Sequence, residues 1–237
     1  MISVIIPAYN EEKLIANCLD ALVKQNTSRN FEVIIVNNNS TDRTAEIAKS
    51  YKDKLDIKVI LDSVKGRGHA RYTGFKKAAG DFLLSTDADA VVPEDWIEKM
   101  ISAIETNSKV VAATGPVRVT DLSPKKNSIF NYIQPLSMKI YNSTYKHYWL
   151  NGFNFGIKRE AYLKSGGFNP DLNVQEDIDL SFKVNKVGKI IFLSDLAVTF
   201  SGRRFKNGLI KGLLPYLKTF FAWRWFHKKD VYLDDPR

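Results

Sequence analysis

The sequence predicts an α/β protein built on a doubly wound, mostly parallel sheet. Three observations carry that prediction. Short β-rich apolar runs recur along the first half of the chain, segments with apolar residues at helical spacing separate the first four of them, and runs such as Val33-Ile34-Ile35-Val36 are apolar at every position. Strand, helix, strand at this pitch builds parallel sheets, and unbroken apolar runs suit strands buried on both faces.

Taken in order, the first strand is expected over Ile2–Ile6, followed by a helix carrying Leu14, Cys18, Ala21 and Leu22 on one side. Glu32–Val36 is the second strand, and Ala45, Ile47, Ala48 and Tyr51 mark the helix after it. Ile57–Leu61, Asp81–Ser85 and Val110–Ala113 are the next three strands. Across Leu122–Tyr148 the alternation lapses into a polar, aromatic-rich segment without a clear element. Strand Phe153–Ile157, a helix from Glu176 to Val187, and strands Lys189–Leu193 and Ala197–Phe200 complete the pattern. The expected organisation is a nucleotide-binding half over 1–118, a substrate half over 119–200 sharing its sheet, and a basic amphipathic helical tail over 201–237.

Composition narrows the class. At 237 residues, with 44% hydrophobic and 26% charged residues, the chain can bury a substantial core without disulfide or metal staples, which excludes disordered, collagen-like and low-complexity classes. A single cysteine, Cys18, excludes an intramolecular disulfide framework and a cysteine-based zinc site, and fits a reducing compartment. The start lacks the basic opening of a signal peptide, and no apolar run is long enough for a transmembrane helix, so the expected location is cytoplasmic, with room for peripheral attachment to the cytoplasmic face of a membrane. The net charge of +9 is a C-terminal feature: residues 201–229 contain Arg203, Arg204, Lys206, Lys211, Lys218, Arg224, Lys228 and Lys229 and no acid.

In a doubly wound sheet, ligands bind at the carboxyl ends of the strands. That edge is where the unusual residues fall. Pro7-Ala8-Tyr9-Asn10-Glu11-Glu12 follows the first strand, Asn37-Asn38-Asn39-Ser40-Thr41-Asp42 the second, Lys65-Gly66-Arg67-Gly68-His69-Ala70-Arg71 comes after the third, and Thr86-Asp87-Ala88-Asp89 after the fourth. Two hard oxygen ligands one residue apart, Asp87 and Asp89, suit Mg²⁺ or Mn²⁺, which take a few carboxylates together with substrate phosphates; an isolated pair of this kind is also an ordinary solvated turn. Tyr9 can stack on a base and Glu11 can accept a hydrogen bond, although acids here equally suit a helix N-terminus. The Asn run can be a turn and cap alone, and the basic glycine-rich loop can meet phosphates. Glu176-Asp177-Ile178-Asp179 opens a helix after the Gly166-Gly167-Phe168-Asn169 turn; these acids either complement the helix dipole or face the crevice.

Together, Ser3–Glu12, Val36–Thr44, Gly66–Arg71, Asp87–Asp89, Gly166–Phe168 and Glu176–Leu180, in this order and spacing, resemble a family 2 glycosyltransferase of the GT-A fold over roughly residues 1–200. The resemblance implies an inverting transferase that uses a nucleotide-diphospho-sugar and a divalent cation. On that reading Pro7, Tyr9 and Glu11 frame the base and ribose, Arg71 approaches the base, Asp87 meets the ribose, Asp89 holds the metal, and Asp177 is the general base with Glu176 beside it. Trp149 and Asn151 fall in the segment where family members build the acceptor site.

Two departures matter. Asn37 stands where the family commonly has an Asp that accepts the imino proton of the base; its amide both accepts and donates, so UDP or GDP is expected ahead of CDP without a decision between them. The Gln-x-x-Arg-Trp motif of processive synthases is absent, since Phe221 precedes Arg224-Trp225 at the Gln position, and transfer of one or a few sugars is expected. The expected acceptor is a hydroxyl on a glycan or lipid-linked glycan. A polyprenyl-phosphate acceptor is the nearest alternative, and a noncatalytic nucleotide-sugar or membrane-binding protein the alternative of another class. In the tail, Phe205, Leu209, Leu213, Tyr216, Phe220 and Trp223 fall on one side of a helix that Pro215 is expected to divide in two. A basic aromatic helix suits peripheral membrane contact through 205–228, or packing on the domain or another subunit. No nucleic-acid role is expected, because the cations accompany a broad apolar arc.

Overall fold

The computed structural model describes residues 1–226, and the last part of the expected tail, 227–237, lies outside the described residues. The chain runs β1 (Ile2–Ala8), α1 (Ile15–Val23), β2 (Phe31–Asn37), α2 (Thr44–Lys49), β3 (Ile57–Leu61), α3 (Arg67–Lys77), β4 (Phe82–Ser85), β5 (Ala90–Val91), α4 (Trp96–Glu105), β6 (Val110–Thr114) and β7 (Val117–Arg118). It continues through α5 (Pro124–Tyr145), β8 (Phe155–Lys158), α6 (Arg159–Lys164), α7 (Glu176–Asn185), β9 (Lys189–Phe192), β10 (Val198–Phe200) and α8 (Leu209–Phe226).

The main sheet has the order β3-β2-β1-β4-β8-β6-β9, and β5-β10-β7 form a small second sheet. Alternation along the central strands divides the core into two layers. Val4, Ile6, Val33 and Ile35 pack with α1, α2 and α4 on one face, whereas Ile5, Ile34 and Val36 pack with α3, α6 and α7 on the other. The close approach of α3 depends on Gly74, where a Cβ would meet Ile5 at 2.4 Å and Val36 at 2.9 Å. Trp96, fully buried, gives its indole N–H to Asn154 Oδ1 at 2.9 Å, so the largest core side chain is also hydrogen-bonded.

Register sets the functional edge. Ala8 pairs with Asn37 and Asn37 with Leu61, so the first three strands end together, and Ser85 pairs with Ile5 so that Asp87 leaves from the same side. Strand β8 is the exception to the parallel pattern: it runs antiparallel to both β4 and β6, with Phe155 opposite Ser85 and Thr114. Its leading loop, 151–154, therefore arrives at the edge where the other loops leave. Because β8 lies between β4 and β6, the sequence halves expected at 1–118 and 119–200 interleave within one sheet.

Two expectations are corrected. The segment from Leu122 to Tyr148, which lacked a clear element, contains the 22-residue α5. Its inward positions include polar amides: Gln134 accepts from the Val117 N–H at 3.1 Å, and Asn131 accepts from the Val119 N–H at 2.9 Å and donates to its carbonyl at 3.0 Å. The helix thus completes the edge of β7 with side chains that read as polar in sequence. Pro215 does not divide the tail, because α8 is continuous through it. A proline costs the helix one backbone bond, and here neighbouring contacts hold both sides: Gly212 lies against the Phe205 ring, and Gln175 donates to the Tyr216 carbonyl at 3.2 Å and to Thr219 Oγ1 at 2.9 Å. No helix among the described residues is long and apolar enough to cross a membrane.

Candidate active site

The rim of the site is held by side chains that tie the loops to one another. Asn10, with φ of 49°, accepts from the Thr41 N–H at 2.8 Å, while Ser40 Oγ accepts from the Asn10 N–H and Thr44 Oγ1 from the Glu11 N–H. Asn38 donates to the carbonyls of Asp62 and Val64 and accepts from the Gly66 N–H at 2.9 Å, which joins the second loop to the third. Much of the Asn-rich run thus serves as cross-linking, and it positions residues next to it.

These loops enclose a cleft of about 450 Å³. Pro7, Tyr9 and Glu11 line it from β1, Asn38 from β2, Lys65, Gly66 and Arg67 from the third loop, and Asp87, Ala88 and Asp89 from β4. Phe153, Asn173, Phe200, Arg203, Arg204 and Tyr216 close it from the second half and the tail. Sequence periodicity placed Tyr216 in an apolar helix face; in the fold it lines the cleft beneath Arg204, whose guanidinium lies 5.5 Å from its ring centre. Asn173 and Phe200 carried no chemical signal in the sequence.

Carboxylates and guanidinium groups alternate through the interior. Arg71, 1% exposed, donates to Asp87 at 2.7 Å and to Glu176. Arg203 donates to Glu11, with Nη1 to Oε2 at 2.9 Å, and reaches Asp89 Oδ2 at 3.0 Å. Asp177 is half-buried and accepts from the Gly152 N–H at 3.1 Å through Oδ2 and from the Ile178 N–H at 2.8 Å through Oδ1. Gly152 is fixed in turn by Ser85, whose hydroxyl donates to its carbonyl at 2.7 Å, and a Cβ there would meet Arg71 Nη2 at 2.8 Å. Gly152 and Ser85 are site-building residues that the sequence did not single out, because their role depends on β8 arriving beside β4.

Burial, then the Asp87 and Glu11 carboxylates, raise the pKa of Asp89 to about 7, with Arg203 acting in the opposite direction. Burial and the Glu176 carboxylate raise Asp177 to about 6, while Arg71 and the two N–H donors pull it down. Asp89 therefore sits where added positive charge is favourable. Among the described residues no three His, Cys, Asp or Glu side chains are grouped to hold a metal alone. One carboxylate beside an open cleft fits the mode of Mg²⁺ or Mn²⁺ that relies on substrate phosphates for further ligands.

Several expected contacts fall elsewhere. Arg71 is not among the residues that line the cleft, and neither is Asp177; Arg71 pairs with Asp87 and Glu176, joining the loop after β4 to the start of α7. Glu176, 3% exposed, is its partner and does not present itself to an acceptor. Asn37 accepts from the Ser40 N–H at 3.1 Å within its own turn, and its neighbour Asn38 lines the cleft instead. Asn151 is buried, donating to the Gly115 carbonyl at 2.6 Å and accepting from Trp149 Nε1 at 2.8 Å, while Trp149 packs edge-on against Tyr141. These last two form a wall whose amide and indole groups are already satisfied by protein.

Residues 3–166 match the sequence model of glycosyl transferase family 2. The chain belongs to that family. The family 2 chain is 29% identical over 210 residues to the probable glycosyltransferase YdaM of Bacillus subtilis, covering 84% of this chain and 50% of YdaM. It spans about half the length of the curated relatives it matches. Among solved structures, Staphylococcus aureus TarS in complex with UDP-GlcNAc superposes with a TM-score of 0.66 at 24% identity, over 84% of this chain and 58% of that one. The mannosyltransferase PcManGT of Pyrobaculum calidifontis, in complex with GDP-Man and Mn²⁺, gives a TM-score of 0.66 at 21% identity, over 99% of this chain and 66% of that one. At these identities the structural likeness establishes the fold, a GT-A arrangement on a mostly parallel sheet.

Proposed function

We propose that this chain is an inverting glycosyltransferase that moves a sugar from a nucleotide-diphospho-sugar to a hydroxyl on a glycan or lipid-linked glycan, with Asp177 as general base and Asp89 as the resting place of Mg²⁺ or Mn²⁺. The observation that carries the reading is a cleft lined by Asp87 and Asp89 that Arg71 ties, through Glu176, to the neighbouring carboxylate Asp177, which the Gly152 N–H holds outside the residues lining the cleft. The UDP-GlcNAc and GDP-Man complexes of the structural neighbours support a nucleotide-sugar donor, and the Mn²⁺ of PcManGT supports a divalent ion.

In this reading Pro7 and Tyr9 hold the base, Glu11 and Asp87 the ribose side, and Lys65, Arg67, Arg203 and Arg204 face the diphosphate. A bound divalent ion supplies Lewis-acid stabilisation of the negative charge on the leaving diphosphate. Asp177 takes the proton of the acceptor hydroxyl as that oxygen bonds to the anomeric carbon, the bond from that carbon to the phosphate oxygen breaks, and the nucleoside diphosphate leaves with inversion. A phosphate acceptor is already ionised and needs no such base, so an acid poised near neutrality favours a hydroxyl over a polyprenyl phosphate.

The donor class is read by thermal unfolding with UDP-, GDP- and CDP-sugars, each with and without Mn²⁺. Ligand at about 100 times its Kd stabilises the native state by about 2.7 kcal/mol. The expected result is a rise in Tm with one base only, and only with the metal present. Absence of any shift and of any turnover across all three donors counts against the proposal and favours a noncatalytic role.

The tail adds a location. One side of α8 is anchored through buried Thr219 and through Tyr216, while Ile210, Leu213, Leu214, Leu217 and Phe221 are exposed beside exposed Lys211, Lys218 and Arg224. Acid-free from Ser201 to Phe226, this side suits the cytoplasmic face of an anionic membrane, at about 1 kcal/mol of attraction per cation near the surface. Co-flotation with anionic vesicles is expected, falling for Leu217→Asp and for neutral vesicles; equal recovery with and without vesicles counts against membrane contact.

A further inference from the structure

Arg203 stands on a short turn, Gly202–Phe205, whose backbone is fixed by buried Phe205 and by the Gly202 N–H donated to Asp121 at 2.8 Å. From there its guanidinium spans two loops, meeting Glu11 after β1 and Asp89 after β4. The charges around it are uneven. Among the described residues, Arg71 pairs with Asp87 and Glu176, whereas Arg203 pairs with both Glu11 and Asp89.

We infer that Arg203 and a divalent cation are competing positive charges for Asp89, and that Arg203 acts as a positioning residue that holds Glu11 and Asp89 together until donor and metal enter as a pair. This rests on the proposal that Asp89 carries the metal.

Three features lead there. Arg203 engages the carboxylate to which the ion is assigned, and a carboxylate bonded to a guanidinium has less negative charge to offer a second cation. No grouping of three metal-binding side chains exists among the described residues to outbid the arginine, so an ion without donor phosphates is at a disadvantage. Arg203 also lines the same cleft as Lys65, Arg67 and Arg204, so a guanidinium released from Asp89 is already where a diphosphate offers it the bidentate partner it suits. The consequence is ordered loading: metal alone binds weakly, and metal with a nucleoside diphosphate binds well.

The test uses the full chain, with Mn²⁺ titrations followed by the electron paramagnetic resonance signal of the free ion, alone and with saturating UDP or GDP. With Mn²⁺ alone, Arg203→Gln is expected to bind about tenfold tighter than wild type, because a unit charge in contact range has been removed from the site. Arg203→Lys keeps the charge without the fork and is expected to fall between the two, which also provides a readout if the Gln variant fails to fold. With nucleotide present, the order reverses and Arg203→Gln becomes the weaker binder. A role limited to structure or to supporting Asp89 does not tighten Mn²⁺ alone, so unchanged or weaker binding by both variants overturns the inference. Asp89→Asn separates the two levels of the argument. If it binds Mn²⁺ as wild type does, the assignment of the metal to Asp89 fails; if it loses Mn²⁺ while the Arg203 variants show no gain, only the competition fails.

Discussion

Asp177→Asn is expected to retain donor and metal binding and to lose transfer by about 10²–10⁴-fold, the range that a positioned base contributes. The substitution is close to isosteric, and its amide oxygen can still accept from the Gly152 N–H, so the aim of the side chain survives while its proton affinity does not. Wild-type transfer at saturating donor and metal should show an acid limb near pH 6, since burial and Glu176 raise Asp177 to about that value and only the ionised form accepts a proton. Below the limb the group is protonated and the rate falls; above it the rate levels off. Near-normal transfer by Asp177→Asn, or a rate independent of pH from about 5 to 8, removes Asp177 from the mechanism.

The site also shows what one chain's sequence displays and what it hides. The strand runs Ile2–Ile6 and Glu32–Val36 were legible because strands buried on both faces are mostly apolar, with buried Ser3 and Glu32 hydrogen-bonded to each other; the edge strand Ile57–Leu61 was legible from its β-branched residues, and the loops after all three because polar residues at strand ends stand out against those runs. Direction was not legible: nothing in Phe153–Ile157 states that β8 runs antiparallel, yet that reversal brings Gly152 to Asp177. Partner choice was hidden too. Arg71 and Glu176 are 105 positions apart, and only the folded chain shows that each consumes the other's charge instead of meeting a ligand. Helix α5 was missed for a different reason, because Asn131 and Gln134 occupy inward positions where a periodicity argument looks for apolar residues. The tail was half legible: its apolar arc was plain, but the arc is wider than one interface, so Tyr216 turns to the cleft while Ile210 and Leu217 face away.

Arg71 is where structure and chemistry are most tightly joined. Arg71→Met is expected to destabilise the fold by about 3–5 kcal/mol, because it leaves Glu176 buried and Asp87 partly buried without the cation that compensates them. Arg71→Lys should recover little, since one ammonium cannot present two fixed N–H groups to carboxylates on different elements. The denaturant midpoint measures both. Arg71→Met combined with Glu176→Gln should be less destabilised than the sum of the single changes, because the second removes the charge that the first strands. Arg71 is also the cation that pulls the pKa of Asp177 down, so in Arg71→Met, where the Glu176 carboxylate stays and the cation is lost, the acid limb of transfer moves to higher pH. A purely structural bridge would lower stability and leave the limb in place. A shift of the limb toward higher pH, by contrast, identifies Arg71 as the cation that holds the proton affinity of the base down against burial and Glu176.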